Sequence, residues 1–273
     1  MSVEIEPISP KTDLEVSWGD SYIRPVEIFY NSLGPSLEQE TGWNFSSGDP
    51  EFWKFRDRLV VPGGKALDIG IGFGRTSLPL ALQGMNVVGI DNEPVSLGAM
   101  RGMTDAFPFL SIELRDQDIV SGEIEESEYD TVILGQTLTH LASVKDAYQV
   151  LDKAIKAVKP GGHIWIRAGG TQSDAYQELM SMADQGFEGV RKTGERSFSH
   201  PDHHFGFGEE NVVFFEQTEL MQYLAQKGLK IVHSQIDPDE GKMNIMFGED
   251  WKRGRIWKGG MITLIGQKPQ EVE

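Results

Sequence analysis

The chain has 273 residues, with 42 Asp and Glu against 25 Lys and Arg, which gives a formal net charge of −17. This acidity argues against a nucleic-acid partner, because a phosphate backbone is bound through clustered Lys and Arg side chains. The absence of cysteine excludes disulfides, thiol nucleophiles, zinc-thiolate sites and iron–sulfur clusters, and it fits a reducing compartment.

Neither the amino-terminal residues nor any later stretch indicates a membrane or an export route. Residues 1–15 lack the basic and apolar regions of a secretory signal. No stretch approaches the ~18 apolar residues that a membrane span needs. We therefore expect a soluble, cytoplasmic protein without a membrane partner. Its length predicts one large domain, since domains run to roughly 100–200 residues.

Residues 1–60 are irregular and rich in aromatic side chains, and they are predicted to form a helical or lid-like segment. A regular alternation follows. The apolar patterns predict strands at 65–69, 86–90, 111–114, 131–134, 163–166, 229–234 and 261–266. Helical spacing predicts helices at 75–83, 94–103, 142–158 and from 218 to 228.

Short strands that alternate with helices predict βαβ units and a parallel sheet. The strands are almost continuously apolar, so both faces of the sheet should be covered. The last two strands, joined by a polar loop, are expected to form an antiparallel pair at one edge. Residues 170–213 are rich in Gly, Ser and charge, with weak periodicity. They are predicted to be a lid-like insertion in a single domain that spans residues 61–273.

The most informative segment follows the first predicted strand and reads DIGIGFGR. Gly70, Gly72 and Gly74 would let the chain turn and a ligand approach the start of the next helix. A dinucleotide fingerprint needs G-x-G-x-x-G, and Arg75 occupies its third glycine position. The segment therefore disfavours a pyrophosphate, whereas Asp68 before it suits a ligand that carries an ammonium group.

Two further strand ends also carry acids. Asp91 ends the second predicted strand, where it can accept hydrogen bonds from ribose hydroxyls; alternatively, it caps the helix that begins near Pro94. Asp116 and Asp118 follow the third strand, and we favour Asp118 as the acceptor for the exocyclic amine of adenine. A ligand with an amino-acid head, a ribose and an adenine would satisfy all three positions.

Taken together, these motifs resemble the class I S-adenosylmethionine-dependent methyltransferase family over about residues 60–170. Residues 214–220 are loosely similar to small-molecule members, including tellurite-resistance-type enzymes. The motifs are LDIGIGFG at 67–74, GID at 89–91, QDI at 117–119, DTVILGQ at 130–136 and VKPGG at 158–162.

The resemblance implies a Rossmann-like sheet of seven strands, mostly parallel, with helices on both faces and an antiparallel last strand. It also implies S-adenosyl-L-methionine as the cofactor and no metal. The implied contacts are Gly70, Gly72 and Gly74 along the methionine and ribose, Asp68 at the ammonium, Asp91 at the ribose, Asp118 and Ile119 at the adenine, and Gln136 beside the methionine or the acceptor.

Histidines supply the candidates for catalysis. His140 follows the implied active-site loop, and His204 belongs to a cluster with His200 and His203. Imidazole suits metal binding, but the spacing matches no familiar metal motif. We therefore predict His140 and His204 as residues that place the acceptor or take its proton, although His140 equally suits a packing or capping role.

The predicted reaction is in-line transfer of a methyl group to a small molecule that is neutral or cationic. Most of the amino-terminal aromatic side chains are expected to pack a helix onto the sheet edge, with Trp18 or Tyr22 as candidates for covering the pocket, and the basic stretch 251–258 is expected at a solvated hairpin tip. Three rival functions stay open: a same-fold enzyme that uses the cofactor differently, a non-catalytic cofactor-binding protein, and a nicotinamide oxidoreductase, which Arg75 disfavours. The oligomeric state is not predicted.

Overall fold

The structure is a computed structural model that describes residues 50–201, 209–237 and 260–270. Several sequence predictions lie outside these residues. They are the amino-terminal helix and aromatic side chains, among them Trp18 and Tyr22, the catalytic candidate His204 with its neighbour His203, and the basic stretch 251–258.

The described residues form ten strands and seven α-helices. The strands are β1 (Lys65–Ile69), β2 (Asn86–Asp91), β3 (Ile112–Asp116), β4 (Tyr129–Gly135), β5 (Val158–Gly169), β6 (Arg191–Lys192), β7 (Ser197–Pro201), β8 (Glu209–Val213), β9 (Lys230–Ile236) and β10 (Met261–Gln267). The helices are α1 (Pro50–Trp53), α2 (Arg56–Leu59), α3 (Ser77–Leu82), α4 (Pro94–Ala106), α5 (Val144–Ala157), α6 (Asp174–Asp184) and α7 (Gln217–Gln226). A 3₁₀ helix (Thr137–His140) follows β4.

Seven of the strands form one sheet in the order β3-β2-β1-β4-β5-β10-β9. The strands from β1 to β5 pair in parallel, and β10 runs antiparallel between β5 and β9. This arrangement confirms the predicted seven-stranded, mostly parallel sheet with an antiparallel last strand. It also brings the carboxyl ends of β1, β2 and β4 to the same edge.

Alternation along the strands divides the core into two layers, one on each face of the sheet. Leu67 and Ile69 of β1 pack with side chains of α5 and α7, whereas Ala66 packs with those of α1 to α4. Trp165 of β5 is fully buried in the second layer, edge-on to Phe52 at 5.3 Å between ring centroids. Helices thus cover both faces, as the apolar strands predicted.

The segment 170–213 is more regular than its sequence suggested. It contains α6 and a second, antiparallel sheet in the order β6-β7-β8. Ala175, Leu179 and Met182 lie on one face of α6 and pack around Phe198 and Phe214 in a small core of their own. These apolar spacings, together with Ser173 as the helix cap, could have predicted α6. The weak periodicity of the segment as a whole made them hard to recognise.

Two boundaries also differ from the prediction. The fifth strand begins at Val158, directly after α5, so the VKPGG segment belongs to β5. Helix α7 begins one residue earlier than Thr218, and its cap is Glu216. None of the helices in the described part of the chain is both long enough and apolar enough to cross a membrane.

The small core predicts local instability in a Phe198→Ala variant. Phe198 is fully buried, and truncating a buried phenylalanine costs about 3–5 kcal/mol. Hydrogen exchange should therefore accelerate in α6 and β6 to β8 and change little in β1 to β5. Phe187 of the same segment is 47% exposed. Phe187→Ala should therefore change the opening free energy measured by hydrogen exchange by less than about 0.5 kcal/mol. Equal effects of the two variants would contradict a separate core.

Candidate functional site

A cavity of about 500 Å³ opens at the carboxyl ends of the parallel strands. It has the position at which open α/β sheets bind their ligands. Seven of the eight residues that the motifs implied for cofactor contact line it: Asp68, Gly70, Gly72, Asp91, Asp118, Ile119 and Gln136. The structure therefore brings together residues that are spread over almost 70 positions of the sequence.

The glycine loop after β1 is shaped by its neighbours. Gly70 has a φ of +76°, and a Cβ there would lie 2.6 Å from Oγ1 of Thr137. That hydroxyl cannot withdraw freely, because it donates a hydrogen bond to the carbonyl of Ile69. Gly72 has a φ of +52° and open space where a Cβ would point. Glycine at Gly70 thus serves close packing, and glycine at Gly72 leaves room within the cavity.

Gly74 differs from the implied role. It is absent from the cavity lining, and a Cβ there would lie 2.6 Å from Sδ of Met100 in α4. With a φ of +75°, Gly74 allows the loop to turn into α3 while α4 packs closely against it. The close approach of α4 is therefore sufficient to explain a glycine at this position.

Asp68 is the most strongly perturbed group in the cavity. Only 3% of the residue is exposed, and burial raises its pKa to about 7; a hydrogen bond from Ser77 opposes this shift, and the charge of Asp91 adds to it. The Ser77 hydroxyl donates to Oδ2 at 2.7 Å. An ionised carboxylate in this place is costly unless a cation compensates it, so the site suits a ligand ammonium.

Asp91 connects the end of β2 to the glycine loop. Its Oδ2 accepts a hydrogen bond from the N–H of Gly72 at 2.8 Å, and its Oδ1 accepts from the N–H groups of Asn92 and Glu93, each at 2.9 Å. The side chain of Glu93, which accepts from the N–H of Ser96, caps α4. The alternative role of Asp91 as the helix cap is therefore wrong. A lone pair on Oδ2, which accepts one hydrogen bond in contrast to the two that Oδ1 accepts, is left for a ligand hydroxyl.

Asp118 begins a tightly held turn after β3. Its Oδ1 accepts from the N–H and the hydroxyl of Ser121 at 2.7 and 2.8 Å, and these bonds lower its pKa. The ammonium group of Lys153 in α5 donates to the carbonyl groups of Ile119, Val120 and Gly122. These contacts fix the turn that forms one wall of the cavity.

The structure also distinguishes between the two acids that follow the third predicted strand. Asp116 does not line the cavity. Its side chain is 67% exposed and lies 3.9 Å from Arg101. Asp118, which we favoured, is the acid that the cavity contains.

The opposite wall begins at Gln136, directly after β4. Gln136 adopts a left-handed φ of +69°, and its N–H donates to the carbonyl of Arg167 in β5 at 2.8 Å. This turn starts the 3₁₀ helix, which ends at His140. Both Gln136 and His140 line the cavity.

His140 has a partner that the sequence did not reveal. Its Nδ1 lies 2.6 Å from Oε1 of Glu210 in β8, and Glu210 also lines the cavity. The second oxygen of Glu210 lies 3.9 Å from Nε2 of His200. No motif marked Glu210, because it lies 70 residues from His140 in a segment that resembled nothing known. Within the residues that the structure describes, no group of three or more metal-binding side chains is found.

The charges around the cavity are mostly negative. Its cationic side chain is Arg75, and its acids are Asp68, Asp91, Glu93, Asp118 and Glu210. Such a lining favours a ligand that carries positive charge.

The comparisons with known proteins agree with this site. Residues 67–166 match the family model described as a methyltransferase domain. The chain is similar to ubiquinone biosynthesis O-methyltransferases. It is 29% identical to the one from Marinobacter nauticus over 40% of this chain and 46% of that protein, and 33% identical to the one from Proteus mirabilis over 38% and 41%. The chain therefore spans about half the length of the curated relatives it matches.

Solved structures show the same fold. A SAM-dependent methyltransferase from Methanosarcina mazei superimposes with a TM-score of 0.62 at 19% identity, over 82% of this chain and all of that one. The magnesium protoporphyrin IX methyltransferase from Synechocystis superimposes with a TM-score of 0.54 at 14% identity, over 90% and 86%.

The fold and the site together define a Rossmann-like domain that binds its ligand at the ends of parallel strands. The match over residues 67–166 and the shared fold confirm the resemblance to class I S-adenosylmethionine-dependent methyltransferases that the motifs indicated. S-adenosyl-L-methionine is the cofactor of this family, as predicted.

The buried Asp68 predicts a pH dependence of stability. Its pKa is about 7 in the folded chain against 3.8 as a model value, so the folded state binds this proton more tightly than the unfolded state. The resulting stabilisation is complete below about pH 4 and is lost as the pH rises to about 7. Relative to Asp68→Asn, the wild type should therefore lose stability across this interval, as measured by denaturant unfolding at successive pH values. Parallel curves for the two proteins would contradict the perturbed pKa.

Proposed function

We propose that the protein transfers a methyl group from S-adenosyl-L-methionine to a small-molecule acceptor by in-line displacement. The observation that carries the proposal is the meeting of three acids, from the ends of β1, β2 and β3, with an open glycine loop in one cavity. Each acid has a complementary ligand group: Asp68 the ammonium, Asp91 the ribose hydroxyls, and Asp118 with Ile119 the adenine.

The cavity fits this cofactor in size and charge. Small-molecule sites enclose roughly 300–1,000 Å³, and this one encloses about 500 Å³. A sulfonium and an ammonium are both cationic, and the acidic lining compensates them. The open space at Gly72 lets the ligand approach the backbone, where no side chain intervenes.

In this mechanism the protein acts mainly by positioning the cofactor and the acceptor. The bound cofactor supplies an activated methyl group on a sulfonium. Asp68, Asp91 and the turn at Asp118 would hold its two ends, and Gln136 and His140 would then face the region between cofactor and acceptor. Proximity and alignment of this kind supply most of the acceleration in such transfers.

Three observations support a small acceptor that is neutral or cationic. The curated relatives are named as enzymes of ubiquinone biosynthesis, and the Synechocystis structure as a magnesium protoporphyrin IX methyltransferase. The cavity lining is acidic. The net charge of −17 opposes nucleic acid. We further propose that residues 170–213 act as a lid on a domain that spans 61–273, with the helical segment 1–60 before it, and that the enzyme works in the cytoplasm.

Asp91 provides the first test. Asp91→Ala should weaken binding of S-adenosylhomocysteine at least tenfold, because hydrogen bonds to a charged group contribute about 1.5–3 kcal/mol and ~1.4 kcal/mol is a factor of ten. The matched control is Asp116→Ala, since Asp116 is the strand neighbour of Asp91 and lies outside the cavity. Calorimetry should show one site per chain and a normal affinity for the control. Equal affinities of the two variants would contradict the ribose contact.

The acceptor is tested with labelled cofactor. Purified protein, methyl-labelled S-adenosylmethionine and fractionated cell extract should yield label in the low-mass fraction. Label in RNA or DNA would overturn the proposal, and label in the protein fraction would assign a protein acceptor instead. A product that carries more than the methyl group would favour a same-fold enzyme that uses another part of the cofactor. Cofactor binding without any transfer would favour a non-catalytic protein.

A further inference from the structure

The pair formed by His140 and Glu210 joins the methyltransferase motifs to the inserted segment. His140 ends the 3₁₀ helix after β4, and Glu210 lies in β8 of the second sheet. Both side chains line the cavity, with 2.6 Å between Nδ1 and Oε1. The insertion therefore contributes a side chain to the cavity itself.

The hydrogen bond determines which ring nitrogen can act on a ligand. A carboxylate accepts only, so the proton of a neutral His140 lies on Nδ1, and Nε2 keeps its lone pair. No described residue forms a hydrogen bond with Nε2. A carboxylate in this position also fixes the ring and stabilises the imidazolium that forms when Nε2 takes a proton.

We propose that His140 is the general base for an acceptor that reacts through a hydroxyl group, and that Glu210 is its positioning residue; the inference rests on the proposed function. The acceptor oxygen forms a bond to the methyl carbon as the carbon–sulfur bond breaks and leaves its electron pair on sulfur. The hydroxyl proton passes to Nε2 of His140. The acceptor class is a phenol or an alcohol, because a hydroxyl is protonated at working pH and must lose its proton as the oxygen is methylated, whereas a neutral amine attacks through its lone pair without a base.

Other charged groups surround the pair. His200 of β7 is the cross-strand neighbour of Glu210, and its Nε2 lies 3.9 Å from Oε2. The remaining charged residues of the cavity are Asp68, Arg75, Asp91, Glu93 and Asp118. Of these groups, Glu210 is the one that contacts His140 at hydrogen-bond distance.

The positioning role is tested by nitrogen NMR of the full-length protein, labelled at histidine and saturated with S-adenosylhomocysteine. Wild-type His140 should carry its proton on Nδ1. Glu210→Leu should release that nitrogen and populate the tautomer protonated on Nε2. The control is Glu195→Leu, since Glu195 is an exposed acid of the same insertion that does not line the cavity. An unchanged tautomer in Glu210→Leu would overturn the pairing.

The catalytic role is tested by methyl transfer, with catechol and the low-mass fraction of cell extract as acceptor probes. Loss of a general base typically costs about 10²–10⁴-fold, so His140→Gln should lower kcat at least 100-fold and leave the affinity for S-adenosylhomocysteine unchanged. Glu210→Leu should lower kcat by about tenfold without raising KM for the cofactor. With ¹³C-methyl cofactor, the carbon shift of the product should be that of an O-methyl group.

The outcomes separate this inference from the proposed function. Transfer to nitrogen, sulfur or carbon, or a His140→Gln variant within threefold of wild type, would overturn the hydroxyl acceptor and its base while methyl transfer stands. Absence of cofactor binding in calorimetry would overturn the proposed function. The tautomer of His140, measured without ligand, would then test the pairing of His140 with Glu210 independently.

Discussion

Parallel pairing of β1 with both β2 and β4 is the constraint on which the rest of the site depends. Asp68 lies opposite Gly89 of β2 on one side and Ile133 of β4 on the other. All three strands therefore end at one edge, and the loops that follow them converge there. The register is strongly specified, because a slip by one residue would turn the buried side chains of β1 to the opposite face.

Electrostatics give this edge its chemical character. Burial makes the ionised form of Asp68 unfavourable, and the nearby Asp91 adds to that cost. The fold tolerates this because backbone N–H groups satisfy Asp91, and the Ser77 hydroxyl partly satisfies Asp68. A cationic ligand would remove the remaining cost. The same charge that lowers the stability of the folded chain therefore favours binding of a cation.

The inserted segment shows how a fold of this kind acquires individual features without changing its sheet. It has its own small core around Phe198 and Phe214, so it can vary independently of the main layers. Its contact with the cavity passes through β8, whose Glu210 reaches His140. The wall of the cavity that carries Asp68, Asp91 and Asp118 is thus built by elements of the parallel sheet, and the wall that carries His140 by both parts.

The sequence by itself determined the features that depend on neighbours along the chain. Strand and helix periodicity, the glycine loop and the acids at strand ends all follow from local spacing. They sufficed for the sheet, for the family resemblance and for seven of the eight predicted contact residues, which do line the cavity. Periodicity failed for α6, whose short apolar face is diluted by charged residues.

Only the tertiary structure decided the features that depend on distant contacts. A Cβ at Gly74 would meet Met100 of α4, and Gly74 is not among the residues that line the cavity. Asp91 holds the glycine loop, whereas Glu93 caps α4. The pairing of His140 with Glu210 joins residues 70 positions apart, one at the end of the 3₁₀ helix after β4 and the other in β8 of the second sheet. Sequence spacing does not predict such a pair, because side chains from separate elements meet only after those elements have packed.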